Sequence, residues 1–247
     1  MVDTVLKGGF TQHVFFFLNL IESRVNFALA RYGDGELAII QNKDIGKDTQ
    51  AFNTDGWCFD GSNYDSVFVQ DIRKSLSHQE DNYFYGIVCS CCHGEDKVDA
   101  YLTMLDTSRI TYANVFVNSN FRIFMSYMMK RLDREVVLVA NEKGKGKQYP
   151  ISTVDHMWVK DDCVNWYNAN KGEIVKEAES LAGNHSDKLF LIAAGPLANI
   201  LVDKMYSHNP NNCYIDVGSC FDTTTKEQYS RPYQNPNTFF ANLVCKF

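Results

Sequence analysis

Proline is scarce in this chain, 5 of 247 residues, while hydrophobic residues make up 45% and charged residues 22%. That balance excludes a collagen-like or disordered chain and places it among ordinary globular proteins. Long apolar runs are missing as well. The most apolar stretch, HVFFFLNLIESRVNFALA, carries His13, Glu22 and Arg24 within its span. It has no basic leader before it, so neither a signal peptide nor a transmembrane segment is expected. Positive charge is in deficit, with 24 Lys and Arg against 30 Asp and Glu and a net charge of -6. This argues against a nucleic-acid partner, whose footprint is strongly basic, and leaves open a local basic site for a small anion. No internal repeat or low-complexity segment is present. The 8 cysteines include CSCC at 89–92, a crowding that suits orderly disulfides poorly. A reducing, cytoplasmic compartment is therefore expected. Cys89, Cys91, Cys92 and His93 lack the distant second pair of a usual zinc site, so a buried strand end is the first reading and a structural zinc a lesser one.

What is present is alternation. Apolar runs of strand character at 25–33, 82–91, 110–120, 134–142, 188–196 and 213–219 are separated by stretches of helical spacing. Helices are predicted over 11–23, from Glu36 onward, and over 66–78, 97–106, 121–132, 166–183 and 197–208. Repeated strand–helix units with apolar strands predict one α/β domain over 1–247, Rossmann-like, with a mainly parallel sheet covered by helices on both faces. Ligands of such sheets bind at the carboxyl edge of the strands.

One junction on that edge stands out. In ARYGDGELAII (30–40) Gly33 and Gly35 fit a tight turn, and Asp34 fits it too, but Glu36 does not. Two carboxylates one residue apart at a strand end can face one small volume, which suits a hard divalent cation.

Other strand ends offer further groups, each with a plainer alternative. Gly195 and Pro196 open a helix whose N-terminus can face phosphate, or simply make a close turn. Asn118, Ser119 and Asn120 carry amides and a hydroxyl suited to sugar hydroxyls, or form a turn. Lys143, Lys145 and Lys147 among glycines can reach a diphosphate, or form a solvated loop. Asp216 and Asp222 follow the last strand, where one of them is expected to cap a helix. His93 and His156 are read as structural or exposed.

The run Arg31-Tyr32-Gly33-Asp34-Gly35-Glu36 resembles the Arg-aromatic-Gly-Asp-Gly-Glu signature of the GT-D-type glycosyltransferases, a Rossmann-like family. VFVNSN, FLIAAGPLANIL and YIDVGS support the resemblance in order along the chain. It implies transfer of a sugar from a nucleoside-diphosphate sugar, in the first instance a UDP-sugar, to a glycan or glycoprotein acceptor. It further implies that Asp34 and Glu36 hold Mn²⁺ or Mg²⁺ against the diphosphate. Arg31 would contact phosphate or order the acids, with Gly33 and Gly35 admitting the phosphate. A base for the acceptor hydroxyl would be Asp216 or Asp222. One departure is plain: the family's Gly-His-x-Asp pattern after the final strand is replaced here by Gly218-Ser219, with the next acid at Asp222.

Two rival readings remain. A non-catalytic nucleotide-sugar binding module would keep the acids for binding alone. An S-adenosylmethionine-dependent methyltransferase fits less well, because its Gly-x-Gly-x-Gly turn is missing.

Overall fold

The structure, a computed structural model, describes residues 9–105 and 108–238. The expected domain ends and the last residue of the 97–106 helix lie outside these. Seven strands, β1 (Ala28–Tyr32), β2 (Tyr83–Ile87), β3 (Ile110–Tyr112), β4 (Val136–Asn141), β5 (Thr153–Val159), β6 (Leu189–Ala193) and β7 (Cys213–Asp216), form one sheet in the order β3-β2-β1-β7-β6-β4-β5. Every adjacent pair is parallel. The α/β class expected from the alternation is borne out.

Strands β1, β2, β4, β6 and β7 are largely apolar because both faces are covered. Side chains alternate between two core layers with the period of two that a strand imposes. Ala28, Ala30 and Tyr32 of β1, Tyr83 and Tyr85 of β2, and Phe190 and Ile192 of β6 belong to one layer. Leu29, Phe84, Leu189 and Leu191 belong to the other. The first layer is covered by α2 (Asp34–Ile40), α4 (Val67–Lys74), α6 (Glu95–Met104), α8 (Cys163–Gly183) and α9 (Leu197–His208). The second is covered by α1 (Phe10–Glu22) and α7 (Phe121–Lys130). Phe17 of α1 packs against Phe27, Phe84 and Phe116 with ring centroids 5.3 to 5.9 Å apart.

Three expectations need correction. The strand expected over 110–120 ends at Tyr112. Val115, Phe116 and Val117 are apolar because they are buried in a looped segment, which Asn120 ties down by donating to the carbonyls of Phe10 and Val115. The strand expected over 82–91 ends at Ile87, and the single turn α5 (Ser90–His93) follows. Cys91 and Cys92 on that turn are exposed, so CSCC is not a buried strand end. The short helix α3 (Gln50–Asp55) and the edge strand β5, whose side chains are half-exposed at Asp155 and His156, were not foreseen either.

Candidate functional site

Because the strands are parallel, their carboxyl ends share one edge. Residues at or just past the end of all seven line a single cleft of about 740 Å³. Its lining includes Arg31, Asp34 and Glu36 beside β1, Gly195 and Pro196 beyond β6, and Gly218 beyond β7.

The helix α2 begins directly at Asp34, so the two acids occupy its first turn rather than a free loop. Carboxylates are favoured there by the exposed N–H groups and the helix dipole. Glu36 Oε2 accepts the Gly33 N–H at 2.8 Å, capping the helix from within. The glycines serve a different purpose from the one the turn suggested. Gly33 has φ -83, and neither glycine is left-handed. Space is what demands them: a Cβ at 33 would stand 3.0 Å from Glu36 Oε2, and one at 35 would stand 2.9 Å from the indole of Trp57. The same indole reaches Gly195, which does adopt a left-handed φ of +55, so Trp57 lies between the β1 and β6 turns.

The acids differ in environment. The Asp34 side chain is largely exposed, with His93 Nδ1 3.9 Å from its Oδ2. Burial pushes Glu36 up to about 7, and the charges of Asp216 and Asp34 add to the push against the pull of backbone N–H groups. Burial likewise pushes Asp216 up to about 6, against the pull of Arg31 and the Gly218 N–H. Asp216 lies beneath the cleft rather than on its wall. Its Oδ1 accepts the Gly218 N–H at 2.8 Å and stands 4.0 Å from Arg31 Nη1. Arg31 Nε donates to the carbonyl of Ala113, so this one guanidinium joins the ends of β1, β3 and β7.

Asp222 does face the cleft. It opens the short helix α10 (Asp222–Thr225), as an acid at a helix start should. Lys226 Nζ lies 2.8 Å from Asp222 Oδ2 and 3.0 Å from Asp55 Oδ1, and Arg231 Nη2 lies 2.7 Å from Asp55 Oδ2. Lys226, Arg231 and Asp55 are cleft residues that sequence reasoning missed. They come from segments 171 and 176 residues apart, and no local pattern signals them.

Of the remaining expected residues, Asn118 lines the cleft from a 3₁₀ turn with φ +52. Ser119 does not, because that turn points its hydroxyl into the protein, where it is buried without a partner. Lys143 is also not on the cleft: its ammonium pairs with Asp161 at 2.5 Å, out in solvent. Among the described residues, the acids at the turn do not fall within any set of three ligand-type side chains close enough to share an ion. Two carboxylates are still a sufficient protein contribution for Mg²⁺ or Mn²⁺, which completes its shell with water and substrate phosphates.

No protein-family model and no curated protein matches the chain. Two solved structures are similar to it. One is described as "The highly conserved domain of unknown function 1792 has a distinct glycosyltransferase fold", with a TM-score of 0.58 and 13% identity over 86% of this chain and 79% of that one. The other is a selenomethionine-substituted structure of the same domain, also at 0.58 and 13%, covering 95% of this chain and 88% of that one. The glycosyltransferase likeness expected from the Arg31–Glu36 run is thus borne out at the level of the fold. No helix among the described residues is long and apolar enough to cross a membrane.

Proposed function

We propose that this protein transfers a sugar from a nucleoside-diphosphate sugar, in the first instance a UDP-sugar, to a glycan or glycoprotein acceptor, with a divalent cation bound at Asp34 and Glu36. The observation that carries this reading is the convergence of seven strand ends on one cleft that holds both hard oxygen donors and the cations Lys226 and Arg231. A diphosphate needs that combination. The chemistry of the donor set also fits, because Glu36, crowded by Asp216 and Asp34 and pushed up to about 7, has a carboxylate whose charge a cation would stabilise.

Departure of the nucleoside diphosphate builds negative charge on its β-phosphate, and Mn²⁺ or Mg²⁺ would supply Lewis-acid stabilisation there. The protein's own groups do the rest. Glu36, which lines the cleft, is held in place by the Gly33 N–H. Arg31 acts as a positioning residue, fastening Asp216 and the β3 loop beneath the acids. Lys226 and Arg231 supply donors for phosphate oxygens. Asp222, on the wall with Lys226 Nζ 2.8 Å from its Oδ2, is better placed than the sunken Asp216 to take a proton from an acceptor hydroxyl.

The test is thermal stability against UDP and other nucleoside diphosphates, with Mn²⁺ and with EDTA, followed by turnover of labelled nucleotide sugars. A shift only with the cation, together with transfer or slow hydrolysis of one donor, is the expected result. Binding with no turnover of any donor would make the protein a binding module, and equal shifts in EDTA would refute the role of the cation.

A further inference from the structure

A second cluster of ligand side chains sits at the mouth of the same cleft and plays no part in the reading above. Cys89 ends the segment after β2 with extended backbone, and the single turn α5 folds Cys91 and Cys92 back over it, with the N–H groups of Cys92 and His93 both directed at the Cys89 carbonyl. Gly94, at φ +85, ends the turn, and a Cβ there would stand 2.6 Å from Asp96 Oδ1. The outcome is three sulfurs in one place: Cys89 to Cys91 is 3.3 Å, Cys91 to Cys92 is 3.6 Å, and all three lie within 4.8 Å of one another.

A tetrahedral ion with metal–sulfur bonds of about 2.3 Å requires its sulfurs about 3.8 Å apart. The Cys91–Cys92 separation is within about 0.2 Å of that requirement, Cys89–Cys91 is about 0.5 Å short of it, and the third pair lies within 4.8 Å, so small side-chain rotations bring the three sulfurs onto one ion. These separations are too long for a disulfide bond of about 2.05 Å, and adjacent Cys91 and Cys92 suit that bond poorly. We infer that Cys89, Cys91 and Cys92 form a three-thiolate site for a soft divalent ion, Zn²⁺ in the first instance, at the rim of the cleft. Asn114, from the loop after β3, donates its Nδ2–H to Cys89 Sγ at 3.3 Å, the kind of outer contact that orients a metal-bound thiolate. The fourth position is left to water or to a group of the substrate.

Softness separates this site from the acid pair. Thiolates select Zn²⁺ and similar ions, while carboxylates select Mg²⁺ and Mn²⁺, so one cleft would hold two ions without competition. Without an ion, a cysteine thiol ordinarily keeps its proton at neutral pH. Binding converts three thiols to three zinc-bound thiolates and releases three protons to the buffer. The site would also fix the β2–α5 turn that carries His93 to Asp34.

The experiment is titration of the full chain with Co²⁺, then Zn²⁺, in a non-thiol reductant, read by absorption and native mass spectrometry, with proton release measured in two buffers. One equivalent of cobalt with tetrahedral thiolate bands, displaced by zinc, is expected. The bands should vanish in Cys91→Ser/Cys92→Ser, persist in Cys58→Ser and Asp34→Asn, and demand about 10- to 100-fold more metal in Asn114→Ala. Since Cys91 and Cys92 are exposed, the double variant should melt in EDTA much as the wild type does. Absence of thiolate bands in the wild type, their survival in the double variant, or their loss in Cys58→Ser would overturn the assignment. Retention in Asp34→Asn keeps this result independent of the glycosyltransferase reading.

Discussion

The guanidinium of Arg31 lies against the backbone of Gly218 so closely that a Cβ there would stand 2.4 Å from Nη1. Gly218 also has a left-handed φ of +53, so a side chain at 218 meets two obstacles. Gly146, at φ +78 with nothing within 4 Å of its Cβ position, meets only the backbone one. Gly146→Ala is expected to cost about 1 kcal/mol. Gly218→Ala should cost roughly 1–3 kcal/mol more, because it also displaces a buried cation from Asp216. Equal losses for the two variants in urea denaturation would show that Arg31 yields freely and anchors nothing.

A dependence on pH follows from Glu36. Its carboxyl ordinarily titrates near 4.5 and is raised to about 7 in the fold, so between those values the native state holds a proton that the unfolded chain has lost. The contribution of Glu36 to stability is therefore fully present below about 4.5 and disappears as pH rises through 7. Other acids, such as Asp155 and Asp203, are lowered and act in the opposite sense, so the difference between wild type and Glu36→Gln isolates the effect. In EDTA the wild type should lose ground to Glu36→Gln steadily from pH 4.5 to 7, and excess Mn²⁺ should reverse the trend. A flat difference in EDTA would mean that the carboxyl is solvated.

The reach of the sequence can be judged from particular elements. β4, β6 and β7 were legible because a strand covered on both faces must be apolar throughout. β5 was not, because an edge strand exposes Asp155 and His156 to water, and nothing in its sequence forces pairing. The segment 113–117 misled because burial and strand pairing call for the same residues. At the site the same division holds. Asp34 and Glu36 were visible as a local anomaly within one turn, whereas Lys226, Arg231 and Asp55 meet only when α3 and the chain after β7 fold onto the same edge.

That ion network makes its own prediction. Lys226→Met leaves Asp222 without its nearest cation and strips one partner from Asp55, at an expected cost of about 1–3 kcal/mol. Adding Asp222→Asn should restore part of the stability, since the remaining group no longer carries unpaired charge. Affinity for a nucleoside diphosphate should stay at least tenfold weak in both, because the phosphate donor is missing from each. Isothermal titration alongside denaturation checks the pair. Affinity that recovers with stability would mean that Lys226 acts only through folding.

The sharpest test separates an acid that caps a helix from an acid that binds a cation, and Glu36 is placed to do both. Glu36→Gln keeps an oxygen able to accept the Gly33 N–H, so the cap at 2.8 Å survives. The variant should melt in EDTA at or slightly above the wild type near neutral pH, since it removes a charge that burial and two neighbouring acids oppose. Glu36→Ala loses the cap as well and should cost about 0.5–2 kcal/mol. Asp34→Asn, exposed at the first helical position, should fold as the wild type does. If these carboxylates hold a divalent cation, all three variants lose Mn²⁺-dependent nucleotide binding and sugar transfer by orders of magnitude, regardless of how well each folds. If they serve the helix alone, function follows stability, with Glu36→Ala impaired and the other two close to normal. Mn²⁺-dependent UDP binding plotted against apo melting temperature for the three variants distinguishes these patterns, and retained cation-dependent binding in Asp34→Asn and Glu36→Gln would remove the metal from this site.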